Sequence, residues 1–241
     1  MSAAWRILRA LAHGLAGWFT IRFAFPKLSE AERHARVQAW AARMLQVLGI
    51  ELRVEGEPPS QGPVLLVANH LSWLDILVMH AARHCRFVSK SDVKHWPLIG
   101  PLATGAGTLY IERDKRRDAL RVVHHMAESL RAGEVVAVFP EGTTGDGSRV
   151  LPFHANLFQA AISADAPVQP VALRYLDART GADSPGPLYL GDETLVASLW
   201  RTLKSPAIVA QIRYGVPQRA NGRDRRRWSS DMRAAVGQLR G

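Results

Sequence analysis

The chain has 241 residues, of which 47% are hydrophobic and 22% charged, a globular composition with enough apolar surface for one large domain or two small ones. The 31 Lys and Arg residues exceed the 21 Asp and Glu residues, and the net charge of +10 indicates an anionic partner: nucleic acid, a membrane face or an acidic carrier. The single cysteine, Cys85, excludes an internal disulfide.

Residues 5–25 form an apolar N-terminal segment that is too short to cross a bilayer. Its uncharged run, residues 10–21, falls well below the about 20 residues that a membrane span needs. Three arginines interrupt the segment: Arg6, Arg9 and Arg22. The pattern favours an amphipathic helix at a membrane surface, with the arginines directed towards lipid phosphates. A signal peptide and a helix packed on the domain are the alternatives, and packing on one face is compatible with lipid contact on the other.

A second helix is predicted from Ser29 to Gly49. Ser29 and Glu32 match a capping box, and Gly49 is a typical helix stop. One face of this helix is apolar and carries Val37, Trp40, Ala41, Met44, Leu45 and Leu48. We therefore divide the chain into residues 1–50, an amphipathic helical segment that associates with the membrane, and residues 51–241, a domain that ends in a basic helical tail.

Beyond residue 50, segments typical of strands alternate with segments of helical period. The predicted strands are residues 51–57, 62–69, 85–90, 107–113, 134–143, 166–175 and 206–215, and the predicted helices are about 72–84, 116–133, 154–165 and 225–240. This alternation predicts an α/β fold with a largely parallel central sheet flanked by helices. In the helix of residues 116–133, the residues predicted to face inward are Leu120, Val123, Ala127 and Leu130, with Gly133 as the C-cap.

Three predicted strands end in polar side chains. His70 follows the strand of residues 62–69, Arg113 ends that of 107–113, and Glu141 follows the apolar part of 134–143. Ligand and catalytic groups in open α/β sheets cluster at the carboxyl ends of the strands. We therefore expect a base, a cation and an acid at one edge of the sheet.

Asp75 lies five positions after His70, and the two side chains would point to different faces of one continuous helix. They can meet only if His70 lies in the turn before a helix for which Ser72 is the N-cap. There the acid would hold the imidazole in one tautomer and stabilise its charged form. Alternatively, Asp75 forms a capping box with Ser72 and only satisfies helix amides. The two roles are compatible, and the residues alone leave both open.

The sequence contains no G-x-S-x-G elbow, Walker A loop or dinucleotide fingerprint. Cys85 has no evident activating base, which leaves His70 as a general base for an incoming hydroxyl or water. His80, His84 and Cys85 have a spacing that could hold a metal, but they lack the glutamate of H-E-x-x-H and a matching cluster elsewhere, so no metal site is predicted.

Four blocks in order resemble the glycerolipid acyltransferases, specifically the bacterial 1-acylglycerol-3-phosphate acyltransferases. The blocks are N-H-x-x-x-x-D at residues 69–75, G-x-x-x-I-x-R at 107–113, F-P-E-G-T at 139–143, and V-x-P-V followed by hydrophobic residues at 168–173. Any one of them is a weak signal, whereas four in order are specific. The resemblance covers about residues 62–175.

The resemblance implies that His70 takes the proton from a lysolipid hydroxyl, which attacks an acyl thioester while Asp75 supports the imidazolium. The residues predicted to bind the substrate are Lys90, Gly107, Arg113, Glu141, Gly142, Thr143 and Arg149. The donor would be acyl-CoA or an acyl chain on acyl carrier protein, with no cofactor and no metal. The expected location is the cytoplasmic face of the inner membrane, with peripheral or monotopic attachment to its anionic surface.

The chain departs from the family pattern at Thr144, where many members with phosphate acceptors have arginine. The change removes a bidentate phosphate ligand, which Arg149 or Lys90 could replace. Alternatively, the acceptor is a lyso-ornithine lipid, because relatives that acylate it have a similar Thr/Ser-rich loop. We expect 1-acylglycerol-3-phosphate first and lyso-ornithine lipid second. A basic nucleic-acid-binding protein and a hydrolase are more remote alternatives, and the first does not explain the four blocks.

Overall fold

The structure is a computed structural model that describes residues 2–111 and 116–241, and this part of the chain forms a seven-stranded sheet with helices on both faces. The strands are Ile50–Glu55 (β1), Val64–Ala68 (β2), Arg86–Lys90 (β3), Leu109–Ile111 (β4), Val135–Val138 (β5), Val168–Asp177 (β6) and Ile208–Tyr214 (β7). The α-helices are Ala3–Phe19 (α1), Glu30–Leu48 (α2), Leu74–Ala82 (α3), Ile99–Gly105 (α4), Arg116–Arg131 (α5), Phe158–Ser163 (α6), Leu195–Lys204 (α7) and Arg225–Arg240 (α8).

The strands follow the order β1-β7-β6-β2-β5-β3-β4. Among the described strands every neighbouring pair is parallel except β6 and β7, so the prediction of a largely parallel sheet is confirmed. The central strand β2 buries both of its faces. Leu66 and Ala68 contact the core under α2 and α3, whereas Leu65 and Val67 contact the core under α5, α6 and α8. Burial on both faces explains why this run is continuously apolar.

The sheet topology brings the ends of β2, β5 and β6 together. In the parallel register, Val67 lies opposite Val138 of β5 and Pro170 of β6. The segments that follow β2 and β5 therefore leave the sheet at the same edge, while β6 continues past that edge to Asp177. This places His70 and Glu141 at one edge, as expected from the sequence.

Helices α1 and α2 pack against each other and against the sheet. The His13 and Trp40 rings stack at 5.2 Å, and the Trp40 indole donates to the His13 carbonyl at 3.1 Å. The Ser29–Glu32 capping box is present, and Gly49 ends α2 in the left-handed conformation. Helix α2 also contributes side chains to the core of the sheet, namely Ala41, Met44, Leu45 and Leu48. Because α2 shares the core of the sheet, the structure does not test the division at residue 50. The membrane association of residues 1–50 stays a prediction.

No helix among the described residues is long and apolar enough to cross a membrane. The expectation that Arg6 is directed towards lipid is wrong. Its guanidinium lies against Gly49 and donates to the Leu48 carbonyl at 3.3 Å, so it ties α1 to the last turn of α2. The α2 carbonyls left without helical partners explain this contact, since a cation satisfies them well.

Two further sequence predictions need correction. Leu120 does not face inward, since it is 71% exposed. Helix α5 instead buries Val122, Met126 and Leu130, and Leu120 lies about 120° from Met126 around the helix. Helix α3 begins at Leu74, two residues later than predicted, because the turn before it is held by the Asp75 carboxylate.

Three histidines lie close together: His34 on α2, His80 on α3, and His84 just after α3. His34 and His84 stack with ring centroids 3.9 Å apart, and His80 lies 5.4 Å from His84. His80 and His84 are each 5% exposed. Burial lowers the pKa of His80 to about 4 and that of His84 to about 3. Among the described residues, no group of three or more His, Cys, Asp and Glu residues is arranged to hold a metal ion.

We expect these histidines to make the fold acid-labile. Their folded pKa values lie below the unfolded value of about 6.5, so the unfolded chain binds more protons as the pH falls and the free energy of unfolding decreases between about pH 6.5 and 4. His80→Leu should reduce that loss by on the order of 1 kcal/mol at pH 5, measured by denaturant titration at several pH values. The exposed His125→Leu is the control, and equal slopes in both variants would contradict the assignment.

Candidate active site

His70 lies in the turn between β2 and α3, with its ring held by Asp75. His70 Nδ1 is 2.7 Å from Asp75 Oδ2, and Asp75 is fully buried whereas the His70 side chain is 20% exposed. A carboxylate can only accept hydrogen bonds, so the proton of the neutral ring lies on Nδ1. The other nitrogen, Nε2, is left to accept a proton from a substrate.

The Asp75 carboxylate also serves the backbone. Oδ2 accepts from the amides of Leu71 at 2.6 Å and Ser72 at 2.9 Å, and Oδ1 accepts from the Tyr175 hydroxyl at 2.5 Å. The Ser72 amide contact is the capping interaction expected for an acid in the first turn. The pairing with histidine and the capping role therefore coexist in one side chain. Four donors compensate for the burial of its charge.

The His70 peptide and ring are fixed from the loop after β5. The His70 amide donates to Glu141 Oε1 at 2.9 Å, and the His70 carbonyl accepts from the Gly145 amide at 2.8 Å. The Phe139 ring stacks on the imidazole with centroids 4.0 Å apart and planes 9° apart. Motion of the histidine is restricted by these contacts before any substrate binds.

Glu141 acts on the backbone in this structure. It is 7% exposed, and its second oxygen, Oε2, accepts from the Leu151 amide at 2.9 Å. Burial raises the pKa of its carboxyl, although the two amide contacts oppose that shift. Glu141 thereby joins the far end of the loop of residues 139–151 to the turn that carries His70. The prediction that Glu141 also contacts substrate stays a prediction.

The rest of the F-P-E-G-T block forms a tight turn. Gly142 has a φ of +71°, and a Cβ atom there would lie 2.9 Å from His154 Nε2, so the turn requires glycine. Thr143 is exposed at the tip of the loop. Thr144, which directly follows the F-P-E-G-T block, donates its hydroxyl to the Tyr189 carbonyl. Arg149 is exposed further along the same loop.

The structure separates Gly107, another predicted substrate residue, from His70. Gly107 lies before β4, at the amino edge of the sheet, where its carbonyl accepts from Arg86 Nε at 2.8 Å. With a φ of +81° it serves the local backbone. Lys90 ends β3 at the carboxyl edge, the same edge as His70. Arg113 lies outside the described residues, so its prediction stays open.

Cys85 cannot act as a nucleophile in this environment. The residue is fully buried, and burial raises the pKa of its thiol far above the ordinary value. A base without a nucleophile beside it fits direct attack by a substrate hydroxyl or by water.

Sequence reasoning missed Tyr175, whose hydroxyl contacts the acid that holds His70. It lies on β6, 100 positions from Asp75 in sequence, and is 3% exposed. Burial raises the pKa of its hydroxyl well above the usual value, so it stays protonated as a donor to Asp75. Its apolar strand context predicts only a core tyrosine, and no spacing rule links the two positions.

A buried acid, an imidazole with a free nitrogen and a parallel α/β sheet define an enzyme of acid–base chemistry. The Acyltransferase family model matches residues 50–174. The chain is 37% identical to the lyso-ornithine lipid O-acyltransferase of Pseudomonas aeruginosa, over 95% of this chain and 88% of that one. It is 40% identical to the 1-acyl-sn-glycerol-3-phosphate acyltransferase of Neisseria gonorrhoeae, over 75% of this chain and 70% of the relative.

The chain therefore belongs to the acyltransferase family, and the resemblance found in its four blocks is confirmed. The fold agrees as well. The crystal structure of the 1-acyl-sn-glycerophosphate acyltransferase from Thermotoga maritima superposes with a TM-score of 0.66 at 19% identity, over 97% of this chain and 95% of that one.

Tyr175→Phe tests whether the hydroxyl positions the Asp75–His70 pair. Losing a hydrogen bond to a buried charge should lower kcat roughly tenfold and change KM little, because binding groups are untouched. Steady-state kinetics with unfolding midpoints measures both effects. Tyr214→Phe is the matched control, since that buried hydroxyl of β7 has no hydrogen-bond partner in the described chain. Equal kcat and KM values in the two variants would show that the Tyr175 hydroxyl does not position the Asp75–His70 pair.

Proposed function

We propose that this acyltransferase moves a fatty acyl chain from an acyl thioester to the free hydroxyl of a lysolipid, with His70 as general base. The observation that carries this proposal is the buried Asp75, which fixes His70 Nδ1 and leaves Nε2 available. The donor is acyl-CoA or an acyl chain on acyl carrier protein. The net charge of +10 supports binding of such acidic donors.

The reaction proceeds without a covalent acyl-enzyme. His70 Nε2 accepts the hydroxyl proton while the oxygen attacks the thioester carbonyl carbon, and Asp75 stabilises the imidazolium that forms. Collapse of the tetrahedral intermediate breaks the C–S bond and releases a thiolate. A thiol has a pKa near 8.5, so the leaving group needs little acid assistance, and it can take the proton from His70.

Two acceptors are supported by the relatives. The first is 1-acyl-sn-glycerol-3-phosphate, which the Neisseria relative is named for, giving phosphatidic acid as product. The second is lyso-ornithine lipid, which appears in the name of the Pseudomonas relative that matches almost the whole chain. A specific observation favours the second: Thr144 replaces a guanidinium and its hydroxyl is engaged with the Tyr189 carbonyl, which leaves fewer ligands for a phosphate.

His70→Ala and Asp75→Asn test the base. Both variants should lose at least roughly 10²-fold in turnover, because general-base catalysis supplies about that factor. The assay follows transfer of a labelled acyl group from the thioester to a lysolipid, with product identification. His125→Ala, at an exposed position, is the control. If folded His70→Ala protein kept near wild-type turnover, another group would have to be the base.

We further propose that α1 and the turn after it bind the membrane surface at the cytoplasmic face of the inner membrane. One face of this segment carries six apolar side chains that are each more than half exposed: Trp5, Leu8, Leu11, Leu15, Phe19 and Phe23. The opposite face packs on α2. A cavity of about 340 Å³ beside it combines apolar walls with two cations, Arg22 and Lys94. Such a surface suits peripheral burial in an anionic interface.

Replacing Leu8, Leu11 and Leu15 together by glutamine should weaken binding to vesicles of anionic phospholipid by about tenfold or more, since each leucine contributes apolar burial. Co-sedimentation measures it, and the unfolding midpoint should not change because the three side chains are exposed. Leu120→Gln is the control on α5. High salt should weaken binding of the wild-type chain without abolishing it. Unchanged vesicle binding in the triple variant would contradict the proposal that α1 binds the membrane surface.

A further inference from the structure

The Phe139 ring lies flat on the imidazole of His70. The ring centroids are 4.0 Å apart and the planes differ by 9°, so the imidazole lies over the face of the phenyl ring and not at its edge. Phe139 opens the F-P-E-G-T block and directly follows β5. The sequence prediction for this block gives substrate contacts to Glu141, Gly142 and Thr143 and no role to the phenylalanine. Its contact with the base gives this side chain a position from which it can affect the reaction.

The charge of His70 changes during the proposed reaction. The ring is neutral before it accepts the hydroxyl proton at Nε2 and positive afterwards. The face of a phenyl ring is electrically negative and attracts a cation that lies within about 6 Å of the ring centroid. The imidazolium of His70 would lie well inside that distance. The attraction is therefore stronger after proton transfer than before it, which is the condition under which a contact raises kcat.

The phenyl ring and the charged neighbours of His70 act from different directions. The N–H bonds of an imidazole lie in the plane of its ring, where Nδ1 contacts Asp75 of α3 at 2.7 Å. Glu141, in the loop after β5, accepts from the His70 amide, and the neutral Tyr175 hydroxyl of β6 donates to Asp75. Both acids favour a cation. Phe139 covers a face of the imidazole, so it adds to their effect without competing for Nε2.

The phenyl ring is held in place by its own contacts. The Phe139 carbonyl accepts from the Gly142 amide at 3.1 Å, which closes the turn of the block. The Phe87 ring of β3 stacks on Phe139 with centroids 5.6 Å and planes 20° apart. Phe87 is 3% exposed and meets the His80 ring edge to face at 5.1 Å. A ring that is fixed in this way needs little reorganisation when the charge on His70 forms.

We propose that Phe139 is a positioning residue of the acyl transfer, and that the face of its ring stabilises the imidazolium form of His70. The proton moves from the acceptor hydroxyl to Nε2 as the C–O bond forms, and the thiolate takes it when the C–S bond breaks. The phenyl ring exchanges no atom in either step and acts only through His70. This inference rests on the proposed function, in which His70 is the general base.

A series of fluorinated phenylalanines at position 139 tests the contact. One, two and three fluorine atoms withdraw electrons from the ring face in steps and change its size little. The kcat for transfer of a labelled acyl group to 1-acyl-sn-glycerol-3-phosphate or lyso-ornithine lipid, whichever wild type uses better, should fall at each step. The total loss should be about threefold to tenfold, with little change in the KM of acceptor or donor. The same series at Phe158, a fully buried core residue beside Trp228, is the matched control.

The pH dependence of kcat/KM gives a measurement that altered packing alone would not move. Weakening the negative ring face destabilises the imidazolium, so the acid limb of the profile should move to lower pH at each step while the plateau falls. Phe139→Leu keeps an apolar side chain but removes the ring face, and it should show the same two changes. If that variant does not fold, the fluorinated proteins still give the test, because their rings nearly match phenylalanine in volume.

Equal kcat values and an unmoved acid limb along the series at position 139 would overturn the proposal and show that the ring only packs against His70. An equal fall in kcat along the Phe158 series would also overturn it. Failure of the proposed function looks different. Wild type would then acylate neither lysolipid, or folded His70→Ala protein would keep near wild-type turnover.

Discussion

The burial of the Asp75 charge is the constraint on which the active site depends. A carboxylate with no solvent contact needs donors from the protein, and it obtains them from the His70 ring, two amides of the turn and the hydroxyl of Tyr175. These donors come from both the turn after β2 and β6. The geometry of the His70–Asp75 pair is therefore coupled to the register of β6 beside β2.

The architecture of the sheet follows readily from the sequence, whereas the contacts of the site do not. Apolar runs separated by helical periods identify the strands, and Ser29, Glu32 and Gly49 mark the ends of α2, because these signals are local. Leu120 was misassigned since helical period alone does not fix which of two overlapping stripes faces the core. The Tyr175 and Asp75 positions are 100 residues apart in sequence, so local sequence patterns do not predict their contact.

The block of residues 139–143 illustrates how far a motif can be interpreted. Its sequence places an acid near the histidine, and this is confirmed. The role expected for Glu141 was substrate binding, yet both of its oxygens accept backbone amides, one from His70 and one from Leu151 at the end of its own loop. The sequence motif is the same whether its glutamate binds backbone amides or substrate. The two roles can be distinguished only from the positions of the amides in the structure.

The basic C-terminal tail shows why net charge says little about partners until the contacts are known. The net charge of +10, to which its arginines contribute, indicated an anionic partner, but α8 buries Trp228, Met232 and Val236 in the core. On the same helix, Arg233 donates twice to the Val150 carbonyl, and Arg240 donates to the Gly147 carbonyl. Those two carbonyls belong to the loop that Glu141 attaches to His70. Part of the positive charge thus holds the loop of Glu141 in place, so these arginines stabilise the fold beside His70.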